Sequence, residues 1–541
     1  MKHLDQNSNH LLQACLASLT ALVAAVIVTC GAWAEAVAQG TLTAQGLRGK
    51  QIYVQGTSAS GAKIDAHLGD SSIEMPGSTM PCANCHGLDG HGKPEGGVTP
   101  SDLTWELLTK PYGVTHASGR HHPPYTEGTI QAAITQGKDP AGNKLLSVMP
   151  RYTMSREDLT DLTAYIEHLG SDHDPGISDR SIVIGTVIPT EGAMAEAGQA
   201  AKAITAAYFD EVNLQGGIYN RRIELQWVGA AVAPAITRSN LEHLLAEEPI
   251  FAITGAFIAG SENDMLPLIA QHQVPLIGPI TLYPEADSLL NRQIFYLFSG
   301  LDGLARVFIS FAAHNPAFRN PRVMMVYPQT SANAHILDEI EKQSRKEGLR
   351  DPLAYDYPFR AFDAARAVEQ TRRESPDAVL FLGSADELLS FMKEAEKSAT
   401  FPYIFLPGGI AGPALFDAPA GFSGKIFLSF PTSPADQSAE GRKEFTALAE
   451  KYKVPASHLP TQIVAYSAAK VLVEGLMRAG KDLSRESLIE ALEGLYQYRT
   501  GLTPAITFGP NRRIGSTGGY VVKVDLKEKR FSPASGWINI D

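Results

Sequence analysis

Cysteine is scarce in this chain: four in 541 residues. Dense basic runs are missing, and the formal charge of −12 argues against nucleic acid or an acidic membrane surface as a partner. Beyond residue 34 no stretch approaches the about eighteen consecutive apolar residues that a membrane-spanning helix needs. Neither a Gly-rich phosphate loop followed by lysine nor a Gly-x-Ser-x-Gly turn occurs. Scattered acids such as Glu262 and Asp264 read as surface or capping residues, so no enzymatic machinery is expected. A hydrophobic content of 44% is that of an ordinary globular protein. The length exceeds one compact core and predicts two or three folded units.

The placement of the four cysteines is informative. Cys15 and Cys30 fall in residues 1–34, which have the form of an export signal. Lys2 and His3 open a polar head, an apolar run extends from about Leu16 to Val28, and Ala32-Trp33-Ala34 offers small residues for cleavage before Glu35. Ala36-Val37-Ala38 is a second legal site, and an uncleaved anchor over 14–34 is the competing reading. Lipid attachment at Cys30 is disfavoured by the bulk of Thr29. Cleavage leaves only Cys82 and Cys85, within Cys82-Ala83-Asn84-Cys85-His86. Two intervening residues let one helical turn present both sulfurs to one porphyrin edge, with the next imidazole reaching the iron. That is the attachment pattern of a single covalent haem c. A zinc site would need two more ligands at similar spacing, and no second cysteine pair exists.

Residues 47–172 are expected to form the haem domain. Leu47 to Tyr53 reads as an opening helix. Ser155 caps a closing one in which Leu159, Leu162, Tyr165, Ile166 and Leu169 recur at helical spacing. The sixth ligand is assigned to Met149, in Leu146-Ser147-Val148-Met149-Pro150, where the proline keeps the methionine backbone extended. Met154 is read as a helix-cap residue, Met75 and Met80 lie too close to the attachment motif, and His116, His121 and His122 sit in a polar run. With His86 and Met149 both bound, no coordination position stays open, so one-electron transfer is the natural role. The segment resembles the class I cytochrome c family, in which Cys-x-x-Cys-His is followed by Met-Pro ahead of a C-terminal helix. It departs in the long insertion between Tyr53 and Cys82.

Residues 173–180 are turn-rich and read as a linker. From 181 to 541 short apolar runs alternate with helix-length segments, the pattern of a parallel α/β sheet with crossover helices, and the length predicts two lobes. Strands are expected at 182–188, 223–228, 250–253, 275–277, 323–327, 378–382, 403–406 and 425–428. Ile182 to Gly192, Val212 to Ile218 with its Gly216-Gly217 pair, Thr254-Gly255-Ala256 and Pro275 to Pro279 together resemble type I periplasmic binding proteins, closest to the leucine/isoleucine/valine branch. The fold class is therefore multidomain, an all-α cytochrome c domain followed by a two-lobed α/β binding fold.

That resemblance implies a solute clamped between the lobes. The serine that holds an amino acid's carboxylate in this branch falls at or near Ala259, the threonine region at Thr281, and the acidic amine anchor at Gly408-Gly409. Lacking the anchor, the site is expected to take a small anion or neutral organic molecule. It would be held by amides near Ala259, Gly260 and Ser261 and by hydroxyls of Thr281, Thr330 and Ser384. Ordinary turn and cap roles are the plain alternative for these residues. The whole predicts a periplasmic, non-enzymatic monohaem electron carrier fused to a solute-binding module. Its redox partner would be a dehydrogenase or another cytochrome. A transporter-linked solute-binding protein with an accessory haem domain is the rival reading.

Overall fold

The structure is a computed structural model that describes residues 42–541 except 69–73, 93, 95, 117–118, 171–173, 286–291 and 411–412. The expected export signal lies outside the described residues. Two compact units divide at His173/Asp174.

In the first unit, helix α1 (Ala44–Gln55) starts where the Thr43 side chain accepts from the Gly46 amide and stops at Gly56, whose φ of 66° suits only glycine well. It crosses the closing helix α2 (Arg156–Ile166) at Gly49. A Cβ there would lie 2.0 Å from the Asp161 carbonyl oxygen, so glycine is what permits the approach. Arg48 secures the crossing with two bonds to the Asp161 carboxylate, at 2.6 and 2.9 Å. On the face read from sequence, Leu162, Tyr165, Ile166 and Leu169 are buried with Ile52 and Tyr53. Ser155 caps α2 by accepting from the Asp158 amide at 3.0 Å.

Within the insertion that sets this unit apart, the described residues include two short strands. Strand β1 (Asp65–His67) lies between β2 (Glu74–Pro76) and β3 (Arg151–Thr153), both antiparallel to it, with Ala66 opposite Met75 and Tyr152. The segment after Met149-Pro150 is thereby clamped to the insertion.

The second unit holds two sheets of like topology. Strands β4 (Ser181–Pro189), β5 (Arg222–Ala230), β6 (Ala252–Thr254), β7 (Leu276–Ile277) and β8 (Ile294–Phe298) are parallel, with β4 between β5 and β6. The second sheet repeats the plan with β9 (Val323–Pro328), β10 (Leu353–Tyr357), β11 (Ala378–Phe381), β12 (Tyr403–Pro407) and β13 (Ile426–Phe430), β9 lying between β10 and β11. Late in the chain β14 (Ile514–Ser516) returns to the first sheet beside β8, and β15 (Gly518–Asp525) joins the second antiparallel to β13. Successive strands placed on either side of the first leave a crevice at their C-terminal ends, where open α/β sheets bind ligands.

Of these strands β8, β10, β14 and β15 escape the sequence reading, although β8 is an apolar run like those that were read. Strand β10 alternates between exposed and covered positions along an edge, and β14 and β15 sit in a short C-terminal run without crossover helices. The 173–180 segment also differs from a free linker. From Asp174 onward it is tied to the second unit: the Asp174 carboxylate accepts from the Arg485 amide at 2.6 Å, and Gly176 accepts from Val183 at 2.8 Å. Ile177 packs on the buried cluster of the first sheet.

The helix crossing makes a direct prediction. Gly49→Ala forces the two helices apart and costs about 1–3 kcal/mol, the range for overpacking a tight core. Arg48→Ala, half exposed, costs less. Thermal unfolding followed at the haem Soret band reads both.

Candidate haem and solute sites

Cys82 to His86 form a five-residue helical turn. Cys82 is partly buried against the core that holds Tyr53, Leu162 and Tyr152, while Cys85 is exposed. Burial pushes the Cys82 thiol up to about 12. A buried thiol of this kind is inert as a free nucleophile but is well placed for a thioether to an apolar macrocycle. His86 is buried, and its Nδ1 lies 2.9 Å from the Ser101 carbonyl oxygen. A carbonyl only accepts, so Nδ1 carries the proton and Nε2 keeps its lone pair for a metal. Burial holds this imidazole below its usual pKa, against the opposing effect of the Ser101 bond, which keeps the ring neutral. The turn itself is fixed by the buried Tyr53 hydroxyl donating to the Gly87 carbonyl at 2.8 Å. These donors fit a covalently attached haem.

Met149 is half-buried in a loop held from below by Arg151. The Arg151 guanidinium donates to the Met149 carbonyl at 2.5 Å, to Leu145 at 3.0 Å and to Leu146 at 3.3 Å. Gly137 makes room for it: a Cβ there would fall 1.8 Å from Arg151 Nε, and its φ is +65°. The other candidate ligands have their own surroundings. Met154 and Met80 pack on the core, and the Met80 carbonyl accepts from Tyr152 at 2.6 Å. His122 is buried, with Nδ1 2.8 Å from the Pro123 carbonyl and Nε2 3.0 Å from Nε2 of His116, while His121 faces Thr115 at 3.0 Å. Neither Ser101 nor Arg151 was singled out from sequence. Ser101 acts through its backbone, which carries no side-chain signal. Arg151 is indistinguishable from any loop arginine until the strand pairing places it.

In the second unit, Ala259, Gly260 and Ser261 follow β6, and Thr281 follows β7 on the adjacent strand, so the sheet brings them together. Ala259 and Gly260 are exposed, whereas Ser261 is 8% exposed and donates its amide to Ile258. Thr281 is engaged twice. It accepts from the Tyr283 amide at 3.0 Å and donates to the Glu262 carboxylate at 2.5 Å. Thr330 and Ser384 belong to the second sheet. Thr330 caps the helix Ser331–Lys346 by accepting from Asn333, and Ser384 exchanges capping bonds with Glu387. The two rims meet where a Cβ on Gly409 would lie 3.6 Å from Leu282. At Gly408 a Cβ would fall 2.1 Å from the Phe430 ring, so no side chain, acidic or otherwise, fits there without moving that ring.

Known proteins share both halves. Residues 181–530 match the family model for a periplasmic binding protein, and 78–170 match that for cytochrome c. Leu/Ile/Val-binding protein homolog 8 of Brucella abortus is 22% identical over 363 residues, covering 61% of this chain and 85% of the relative. Leu/Ile/Val-binding protein BraC3 of Rhizobium johnstonii is 22% identical over 336 residues, covering 62% and 89%. Among solved structures, a fatty acid ABC transporter substrate-binding protein from Thermomonospora curvata superposes with a TM-score of 0.54 at 18% identity, covering 68% and 95%. A branched chain amino acid ABC transporter from Thermus thermophilus with bound valine gives 0.54 at 16% identity, covering 67% and 98%. Twin sheets of one topology, with site loops gathered at their strand ends, agree with these matches: the chain belongs to the periplasmic binding protein family and carries a cytochrome c domain ahead of that fold.

Proposed function

We propose that this protein is an exported monohaem electron carrier whose second unit binds a small solute. The observation that carries the reading is the His86 ring, presented on a Cys-x-x-Cys-His turn with Nδ1 bonded to the Ser101 carbonyl and Nε2 left to a metal. When bound, the haem supplies reversible one-electron chemistry. The chain's own residues do the rest. Cys82 and Cys85 would tether the macrocycle, His86 would offer the iron a nitrogen, and Met149 a soft thioether that favours the reduced state. Arg151 holds the methionine loop by its carbonyls, and the apolar core of Tyr53, Ile134 and Leu162 keeps water away. With His86 and Met149 both given to the iron, the chain would leave oxygen and peroxide no position to bind. The electron partner is a dehydrogenase or another cytochrome in the periplasm. Among the described residues no helix is long and apolar enough to cross a membrane.

A second reading follows from the relatives, whose names are those of amino-acid-binding and transporter-associated proteins. In it the binding unit delivers solute to a membrane transporter and the haem is an accessory. Stopped-flow reduction by a periplasmic dehydrogenase, with and without solutes, separates the two. Fast, solute-independent reduction supports the carrier. Solute affinity identical in both redox states, together with sluggish reduction, supports delivery.

Two substitutions test the axial assignment. Met149→Ala abolishes the far-red sulfur-to-iron band and lowers the reduction potential, while the pyridine haemochrome spectrum stays that of a haem c. Arg151→Ala leaves the ligand in place but frees its loop, so the same band weakens on mild warming at which the wild type keeps it.

A further inference from the structure

In the first unit Val114 and Thr115 pair antiparallel with His122 and His121, and this hairpin brings His116, Arg120 and His122 together. His122 is 2% exposed. Its Nδ1 lies 2.8 Å from the Pro123 carbonyl oxygen, which only accepts, so Nδ1 carries a proton. Its Nε2 lies 3.0 Å from Nε2 of His116, a distance at which two bare lone pairs repel. One of these two nitrogens is therefore protonated. It is not that of His116, because an Arg120 guanidinium nitrogen, which only donates, lies 2.8 Å from the same atom. The proton is on His122, which leaves that ring protonated at both nitrogens: a buried imidazolium.

The groups around it fix the local charge. Asp139, with a fully buried carboxylate, accepts from Arg120 at 2.8 Å and from the Ala141 and Asn143 amides at 3.0 and 2.9 Å. Burial raises this carboxyl, but bonds from Asn143 and Arg120 outweigh burial and hold it below its usual range, so it stays an anion. Burial, then the charges of Arg120 and His122, hold His116 below the usual imidazole range, which keeps it the neutral acceptor. Burial raises the Tyr125 phenol against the opposing effect of Arg120, so it too is neutral. His121 has its own partner in Thr115, at 3.0 Å. Two cations thus share one carboxylate, and the cluster holds one positive charge in excess. A metal ion between the two Nε2 atoms is disfavoured: it needs further ligands, and Arg120 already sets a fixed cation beside one of them.

That excess charge borders the core given above to the haem. The His122 ring meets Tyr125 edge-on with centroids 4.8 Å apart, and Tyr125 is buried with Ile52, Tyr53, Tyr152 and Leu162. Charges interact strongly where water is excluded. We propose that His122 is a redox-linked proton site, which takes its second ring proton as the unit gains an electron and returns it as the electron leaves. This rests on the electron-carrier reading above and adds a proton to it. Where His122 is neutral in the oxidised unit and charged in the reduced one, the balance is one for one. The donor protein supplies the electron and bulk water the proton on Nε2; on reoxidation the acceptor protein takes the electron and water the proton. Added negative charge stabilises the imidazolium, and by reciprocity the imidazolium stabilises the reduced state, so the reduction potential falls as pH rises.

The test uses the full haem-loaded chain labelled with the heavy nitrogen isotope. Ring-nitrogen NMR in mildly acidic buffer is expected to show His122 protonated at both nitrogens and His116 at Nδ1 alone, with His122→Gln identifying the resonances. Followed against pH, the proton affinity of His122 is about fivefold or more higher in the reduced protein than in the oxidised one. Potentiometric titration shows a midpoint that falls with rising pH in the wild type and falls less in His122→Gln. An unchanged Soret spectrum and melting temperature verify that the variant is folded; if it is not, the wild-type comparison between redox states decides alone. The proposal is overturned if His122 carries one ring proton in mild acid, if its proton affinity is the same in both redox states, or if folded His122→Gln keeps the full pH dependence. It is also overturned if dialysis against EDTA removes that dependence, which places a metal between the rings. Reversible reduction without pH dependence sinks the coupling and leaves electron carriage standing, whereas a chain without a pyridine haemochrome spectrum fails the earlier reading itself.

Discussion

The iron side of this molecule depends on a single backbone carbonyl. Ser101 accepts from Nδ1 of His86, and that one contact decides the tautomer, the ring orientation and the atom left for coordination. Without it the imidazole could rotate within its turn, and the two thiols next to it would tether a macrocycle whose axial partner was undefined. Everything around the turn works to hold that geometry still. Tyr53 reaches from the opening helix to the Gly87 carbonyl, and the opening helix is pressed against the closing one at Gly49. Placement of His86 thus traces to the absence of a side chain at one position.

The opposite face is organised by strand pairing. In a short cytochrome domain a ligand loop can be left to the haem to order, but here β3 follows Met149-Pro150 at once and is hydrogen-bonded to the insertion. Arg151, the first residue of that strand, turns back to bond three carbonyls of the loop. The insertion, a departure from the family pattern, therefore has a mechanical effect: it limits how far the methionine loop moves. If Met149 is an iron ligand, as proposed, a loop so braced would lower the reorganisation that accompanies a change of iron charge, which would suit a carrier more than a ligand-exchanging sensor.

Much of this was legible in the sequence, and the reasons are specific. The attachment motif is short, dense in rare residues and tied to one chemistry, so Cys82, Cys85 and His86 stand out unaided. The closing helix declares itself because Leu162, Tyr165, Ile166 and Leu169 recur at a helical period, and a buried face must. Parallel strands of the second unit show as apolar runs because both faces are covered. What was not legible involves partners distant in sequence or silent in side-chain type. Ser101 contributes a carbonyl, Arg151 contributes through register, and Glu262 passes for a surface acid until adjacent strand ends set it beside Thr281. The hydroxyls of Thr330 and Ser384 cap helices in the structure, a role that one sequence cannot separate from ligand contact.

Joining the two units in one chain has a physical consequence that neither has alone. Covalent linkage replaces diffusion with an effective concentration, about millimolar for short connections, so whatever engages one unit meets the other at that concentration. On the proposed reading, a binding unit that docked on a membrane component would thereby station an electron carrier beside it, with no change in the carrier's own surface. The gain needs no coupling between solute and iron. It would arise even if solute occupancy left the reduction potential untouched, because proximity acts on the encounter rate and not on the redox equilibrium. Allosteric coupling would require two states of the chain that solute and electron each prefer differently. Tethering requires only that both units keep their own fold, and each unit here is internally braced: the first through Gly49, Arg48 and Arg151, the second from Asp174 onward through Arg485.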